Sequence, residues 1–211
     1  MMLPAIARNA FLLAAFAIVC TGTVAITSTL TKPVILKQQQ IALQENINQI
    51  IDPERYDNQI IDSCFTVIYE QLLGDKKPKQ VFIATKNQLP VAALIQSSTF
   101  KGYSGEIKLL VGIYNNGEIA GVRVNHHTET PGLGDKIQTN KSDWILDFNG
   151  EKYQQSTSNQ WEVKKDGGNF DAFTGATITP RSVVHAVRDT LIYFQKNQDK
   201  LFNTPPNCGE K

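Results

Sequence analysis

Residues 171–180 read DAFTGATITP and crowd three hydroxyls, those of Thr174, Thr177 and Thr179, between the carboxyl of Asp171 and Pro180 with no hydrophobic period running through them. Gly175 and Ala176 leave the backbone beside those hydroxyls open to close approach. Thr179 and Pro180 suit the N-cap and first position of a helix, whose dipole would favour an anion held by the stretch. Taken alone, the same residues make a tight turn and a helix start. A second stretch, VNHHTETPGLGDKI at 124–137, contains Glu129, Thr130, Pro131, Gly132, Leu133 and Gly134. Two glycines and a rigid proline can form a loop that lies flat against a ring and offers it backbone hydrogen bonds, or a stiffened surface loop and nothing more.

Other chemistries fit poorly. His126 and His127 are adjacent, so on a strand they point to opposite faces, and His185 falls in a helical segment, which argues against a three-histidine metal site. The chain has no G-x-S-x-G elbow, no G-x-G-x-x-G fingerprint and no phosphate-binding P-loop. Three cysteines cannot supply the four ligands of an iron–sulfur cluster. With 21 basic and 20 acidic side chains scattered through 211 residues, nothing marks a nucleic-acid partner.

The elements that must position these stretches follow from periodicity. NAFLLAAFAIVCTGTVAITSTLT, residues 9–31, has no charge and no proline and is long enough to span a bilayer as a helix. Arg8 and the core 11–19 would also suit a cleaved signal peptide, but no Ala-x-Ala step follows, which favours a retained anchor. Basic residues flank both ends, Arg8 on one side and Lys32 and Lys37 on the other, so charge does not orient it. Residues 36–74 carry Ile47, Ile50, Ile51, Ile60, Ile61, Phe65 and Ile68 at mostly three and four spacing, with Pro53 between two helical pieces, and the region 32–79 reads as a helical stalk. From Gln80 the runs VFIAT, VAALIQSSTF, GEIKLLVGIY and EIAGVRVNHH read as strands, the last two joined by an Asn115-Asn116-Gly117 hairpin, and WEVKK reads as a further short strand. PRSVVHAVRDTLIYFQKNQDKLF is a helix with Val183, Val187, Leu191 and Phe194 on one face. The fold class is α+β: an antiparallel sheet with packed helices, preceded by one N-terminal transmembrane helix and the stalk. Cys20 falls in the membrane segment, which leaves Cys64 and Cys208 either joined in an oxidising compartment or free as two thiols.

The pattern Asp-x-x-Thr-Gly-Ala-Thr, formed by Asp171, Thr174, Gly175, Ala176 and Thr177, resembles the flavinylation motif of the FMN-binding domain family. In that family a transferase moves FMN from FAD onto the last threonine as a phosphoester, and the matching position is Thr177. The resemblance implies that Asp171 shapes the motif or is read by the transferase. His127 and the segment Glu129 to Gly134 are similar to the family's H-x-E-T-P-G-L-G stretch, which implies that Glu129 to Gly134 belong to the cofactor site, with Thr130 to Gly134 packing on the flavin ring. GYSGEIKLLVGI at 102–113 and SDWILDF at 142–148 resemble the G subunits of Rnf electron-transport complexes more than the related C subunits of sodium-pumping NADH:quinone reductases. What this implies is a single-pass subunit of the bacterial inner membrane that carries electrons on covalent FMN and has no catalytic residues of its own. Its partners would be the membrane and redox subunits of the complex and, during maturation, an FAD-dependent flavin transferase. The expected division is a cytoplasmic segment 1–8, a membrane helix 9–31, the stalk 32–79, a periplasmic FMN-binding domain 80–203 and a tail 204–211. The alternative is a membrane-anchored binding or assembly module with the same fold and no flavin.

Overall fold

The computed structural model describes the backbone of residues 3–208 and side chains from Ile6 onward. Met1 and Met2 of the expected N-terminal segment and residues 209–211 of the tail lie outside the described residues. The chain divides into two compact units, Met1–Leu43 and Gln44–Lys211.

The first unit consists of helix α1, which runs from Leu3 to Ile50 and continues into the second unit for its last two turns. It is the one helix among the described residues long and apolar enough to cross a membrane. Phe11, Leu12, Phe16, Ile18, Val19, Val24 and Leu30 are all exposed along it, as lipid-facing side chains would be. Several of its hydroxyls bond within the helix: Thr23 donates to the Cys20 carbonyl at 2.9 Å, Thr27 to that of Thr23 at 2.8 Å and Thr31 to that of Thr27 at 2.8 Å. A helix without water around it needs such internal partners. Pro33 lies inside the helix, so the helix does not end where Lys32 and Pro33 follow the apolar run.

The second unit is built on a five-stranded antiparallel sheet in the order β1-β2-β3-β4-β5, with strands Cys64–Val67, Lys79–Lys86, Leu89–Thr99, Ile107–Tyr114 and Ile119–His126. The expected hairpin between β4 and β5 closes through Gly117, whose N–H donates to the Tyr114 carbonyl at 2.8 Å with φ of +82°. Alternation divides the strands between two apolar layers. Val81, Ile83, Ala93, Ile95, Leu109, Val111 and Ile113 join one core with helix α3, Ile178–Asn203, whose Val183, Val187, Leu191 and Phe194 are buried as the spacing predicts. The other face carries Phe82, Ala84, Ala92, Leu94 and Leu110, all buried, and receives the end of α1. There Gly112 and Gly121 are cross-strand partners, and a Cβ on Gly112 would stand 2.2 Å from Ile50 Cγ2. Arg123 finishes the joint: its Nη2 donates to the Gln49 carbonyl at 3.0 Å and its Nε to the Gln49 side chain at 3.0 Å, capping the last turn of α1.

Two element-level expectations change, and one left open is decided. The helical stalk expected over 32–79 is helical only to Ile50; beyond it come short 3-10 turns, strand β1 and the four-residue helix α2, Glu70–Leu73. In Cys64-Phe65-Thr66-Val67 the aromatic and β-branched side chains find a pairing partner in β2, and that pairing overrides a helical spacing only a few residues long. WEVKK forms no strand; only Val163 makes a bridge, to Phe170, because the chain reverses at Gly167 and Gly168 and buries Trp161 against Phe170 and Phe148. Cys64 and Cys208 are joined as a disulfide.

Candidate functional site

Helix α3 starts at Ile178, two residues earlier than Thr179 and Pro180 suggested, and its N-cap is Thr177. Pro180 is tolerated as the third helical residue because the first-turn N–H groups have no intrahelical acceptor in any case. Thr177 has φ −82° and ψ −28°, and its hydroxyl makes no capping hydrogen bond. Thr179, expected as the cap, is instead buried, and its Oγ1 donates to the carboxylate of Glu129.

The residues before Thr177 form a four-residue turn. The Ala176 N–H donates to the Phe173 carbonyl at 3.0 Å, with Gly175 in the left-handed region at φ +83°. Trp144, from the SDWILDF segment, supports this turn by stacking edge-on to Phe173 at 5.1 Å and donating its Nε1–H to the Asp171 carbonyl at 2.8 Å. Asp171 itself faces outward, and its Oδ1 lies 2.7 Å from Lys164 Nζ with both side chains more than half exposed. A pair so exposed contributes little to stability.

The second stretch leaves β5 and turns tightly. The Thr130 carbonyl accepts from both Leu133 N at 3.2 Å and Gly134 N at 3.1 Å, around Gly132 at φ +77°. Glu129 is only 4% exposed. Its Oε1 accepts from the Ser104 N–H at 3.0 Å and its Oε2 from Thr179. The carboxylate thus joins three segments: the β3–β4 loop, the chain after β5, and the start of α3. Two glycines make room for it: a Cβ on Gly102 would stand 2.6 Å from Glu129 Oε1, and one on Gly134 2.8 Å from Oε2.

Between these segments lies a half-open cavity of about 300 Å³. Of the residues singled out from sequence, Glu129, Thr130, Leu133, Gly134, Gly175, Ala176 and Thr177 line it. Pro131, Gly132, Asp171 and Thr174 do not; they shape the two turns from outside. Sequence reasoning missed Tyr103 and Ile178 on its walls and had given Thr179, also there, the role of a cap. Tyr103 is flanked by glycines in GYSG, a signal that the backbone there makes a specified loop; no sequence pattern announces Ile178, whose place follows from the helix phase.

The charges around α3 are paired among themselves. Arg181 makes a two-pronged contact with Asp166 at 2.6 and 3.0 Å, and the Arg181 hydrogen bond holds the Asp166 carboxyl below the usual carboxylate range. Glu162 accepts from His185 and from Arg188. Neither group lines the cavity. The cavity therefore offers apolar walls, unpaired hydroxyl and backbone donors at a helix N-terminus, and one buried carboxylate already satisfied by its neighbours. That set suits a flat, largely apolar ligand ending in an anion.

Residues 102–192 match the FMN-binding domain and residues 1–50 match the RnfG N-terminal region. The chain is 46% identical to the G subunit of the ion-translocating oxidoreductase complex of Shewanella loihica, covering 96% of each chain. It is also 46% identical to the G subunit from Vibrio cholerae, over 98% of this chain and 99% of the relative, and 45% identical to that from Vibrio vulnificus, over 99% and 98%. The chain belongs to the family of G subunits of ion-translocating oxidoreductase complexes.

Proposed function

We propose that this chain is an electron-carrying subunit of a membrane complex coupling electron flow to ion translocation, and that FMN is joined through its phosphate to Thr177. The observation that carries this reading is the Thr177 hydroxyl, which makes no capping bond at the N-terminus of a 26-residue helix and stands on the wall of the cavity. The residues present fit the group. The Thr177 oxygen forms the ester, the helix dipole and first-turn N–H groups favour the remaining phosphate charge, and Gly175 leaves the approach free of side chain. Thr130, Leu133 and Gly134 on one side and Ala176 and Ile178 on the other would border the ring. When bound, FMN supplies the redox chemistry, and the protein supplies position and electrostatics.

Attachment balances as a transfer. An FAD-dependent transferase breaks the pyrophosphate bond of FAD, the Thr177 oxygen takes the FMN phosphoryl group and loses its proton, and AMP leaves. The exposed, lightly held Asp171 lies outside the cavity, which suits a residue read by the transferase. α1 serves as the single membrane anchor. The Cys64–Cys208 disulfide supports a domain on the periplasmic side of the inner membrane, where oxidation is permitted. Attachment by a covalent bond keeps the flavin from being lost outside the cytoplasm.

The test is to co-express the chain with the transferase and to denature the purified product. It is expected to stay yellow and fluorescent, heavier by FMN less one water on the peptide holding Thr177, and Thr177→Ala is expected to remove both signals. An unmodified wild type under those conditions would overturn the carrier in favour of an assembly module without flavin.

A further inference from the structure

Tyr103, Leu133 and Ile178 are exposed at 71%, 41% and 46%, and all three line the same cavity. Leu133 and Ile178 come from the two motif-bearing segments. Tyr103 comes from the β3–β4 loop, which no motif links to a ligand, yet the backbone around it is held closely. The Ser104 N–H donates to Glu129 Oε1 at 3.0 Å, and the Ser104 carbonyl accepts from Thr128 Oγ1 at 2.7 Å, so both backbone polar groups of one residue are fixed to the chain after β5. Gly102 is packed so that a Cβ would stand 2.6 Å from both Glu129 Oε1 and the Gly105 carbonyl, and Gly105 takes φ of +118°. A loop specified this tightly presents one large side chain from residues 102–105, and that side chain reaches the cavity.

A tyrosine in solvent contributes nothing to folding that would call for such a clamp. An aromatic side chain held in place by supporting hydrogen bonds is instead preorganised for a ligand. We propose that Tyr103 is the aromatic wall of the flavin site, covering the ring of the FMN held at Thr177 and shielding it from water, with the Ser104 clamp holding it there. This rests on the flavin reading above. It adds a positioning residue outside both sequence motifs, and it gives the buried Glu129 a purpose: by accepting from Ser104 and Thr179 at once, its carboxylate sets the spacing between the tyrosine wall and the attachment helix.

The chain co-expressed with the transferase tests this through the emission of its attached flavin and the access of iodide to it, with attachment scored separately by mass. An electron-rich phenol in contact with a flavin quenches its emission by transient electron donation and return, with no net chemistry. Tyr103→Ala is therefore expected to raise emission several-fold and to open the flavin to iodide, whereas Tyr103→Phe, which keeps a ring in place, is expected to keep iodide access at the wild-type level. Thr128→Val, which removes one side of the clamp, is expected to shift iodide access in the direction of Tyr103→Ala. If Tyr103→Ala carries its flavin with wild-type emission and wild-type iodide access, the wall is wrong and the attachment reading stands. A wild type that carries no flavin would overturn both.

Discussion

Thr177 and Thr179 sit on the same turn of chain and use their hydroxyls differently. The Thr177 hydroxyl makes no capping bond, while Thr179 is buried and donates to Glu129. Thr177→Ala should therefore leave stability within about 0.5 kcal/mol of wild type, as for a side chain away from any specific contact, even though it removes the proposed attachment point. Thr179→Val keeps the shape and deprives a buried carboxylate of a donor, which should cost about 1–3 kcal/mol. Thermal melts of the flavin-free chains would compare them directly, and equal losses would contradict the division of labour. The stretch 171–180 was legible as a motif, down to the threonine that matches the attachment position. The assignment of Thr179 as the cap failed because its residue type alone suits a cap, and what decides its role is Glu129, 50 positions away in sequence. Tyr103 escaped for a related reason: its wall exists only because Ser104 is tied to a residue on another loop.

Strands and hairpin turns were easier to read than the chain between the anchor and the sheet. Four strands with long Val- and Ile-rich runs appear where expected, but Ile60 to Ile68 carries too few apolar positions to separate a helical spacing from a strand until β1 pairs with β2. The seat of α1 on the sheet was also hidden, because a glycine in each of two strands gains meaning only once Gly112 and Gly121 are known to be partners. Gly112→Ala would drive a methyl into Ile50 at 2.2 Å and should destabilise the domain by about 1–3 kcal/mol. On an Ile50→Ala background the same change should cost less, and identical costs in a double-mutant cycle would remove the contact from the account. At the start of β2, Lys79 bridges Asp75 at 2.8 Å and also donates to Ser98, with the side chains of the ion pair 8% and 15% exposed. Burial pushes the Asp75 carboxyl up, but hydrogen bonds from Lys79 and the Lys77 backbone, with both lysine charges, outweigh it, and the net direction is below its ordinary value of 3.8. A depressed carboxylate contributes stability that is present above that ordinary value and is lost as pH falls through the lowered one. Asp75→Asn leaves Lys79 buried without its counter-charge and should cost about 3–5 kcal/mol near neutrality. Urea titrations at descending pH should show that gap narrowing below the ordinary value; a gap constant with pH would mean that the charge of Asp75 is immaterial.

At the scale of the whole molecule, the apolar run 9–31 announced a helix, which in the structure belongs to an element reaching Ile50, but no feature of the sequence could say whether Cys64 and Cys208 are joined. The disulfide links the edge strand β1 to the C-terminal tail across a separation of 144 residues. The tail also pairs with that edge: the Asn207 and Cys208 N–H groups donate to the Cys64 carbonyl at 2.8 and 3.2 Å, and Asn207 Oδ1 accepts from the Thr66 N–H at 3.0 Å. Closing so long a loop restricts the unfolded chain strongly, so removing the link should cost about 2–5 kcal/mol. The cavity depends on other parts of the chain, namely the β3–β4 loop, the residues after β5 and the start of α3, while β1 lies at the opposite edge of the sheet from β5. Cys64→Ser with Cys208→Ser should therefore lower the melting temperature and speed amide exchange first in β1, while flavin is still loaded onto Thr177 at the wild-type level. The same bond reports on topology. In chain taken from native membranes with the domain on the periplasmic side, Cys64 and Cys208 should resist thiol labelling until a reductant is added, and protease added to intact spheroplasts should reach the domain. Free labelling of both cysteines together with protection from protease would place the domain in the cytoplasm and reverse the orientation proposed for α1. Loss of flavin loading in the double serine variant would instead show that the edge held by the disulfide and the cavity built around Glu129 are one cooperative unit.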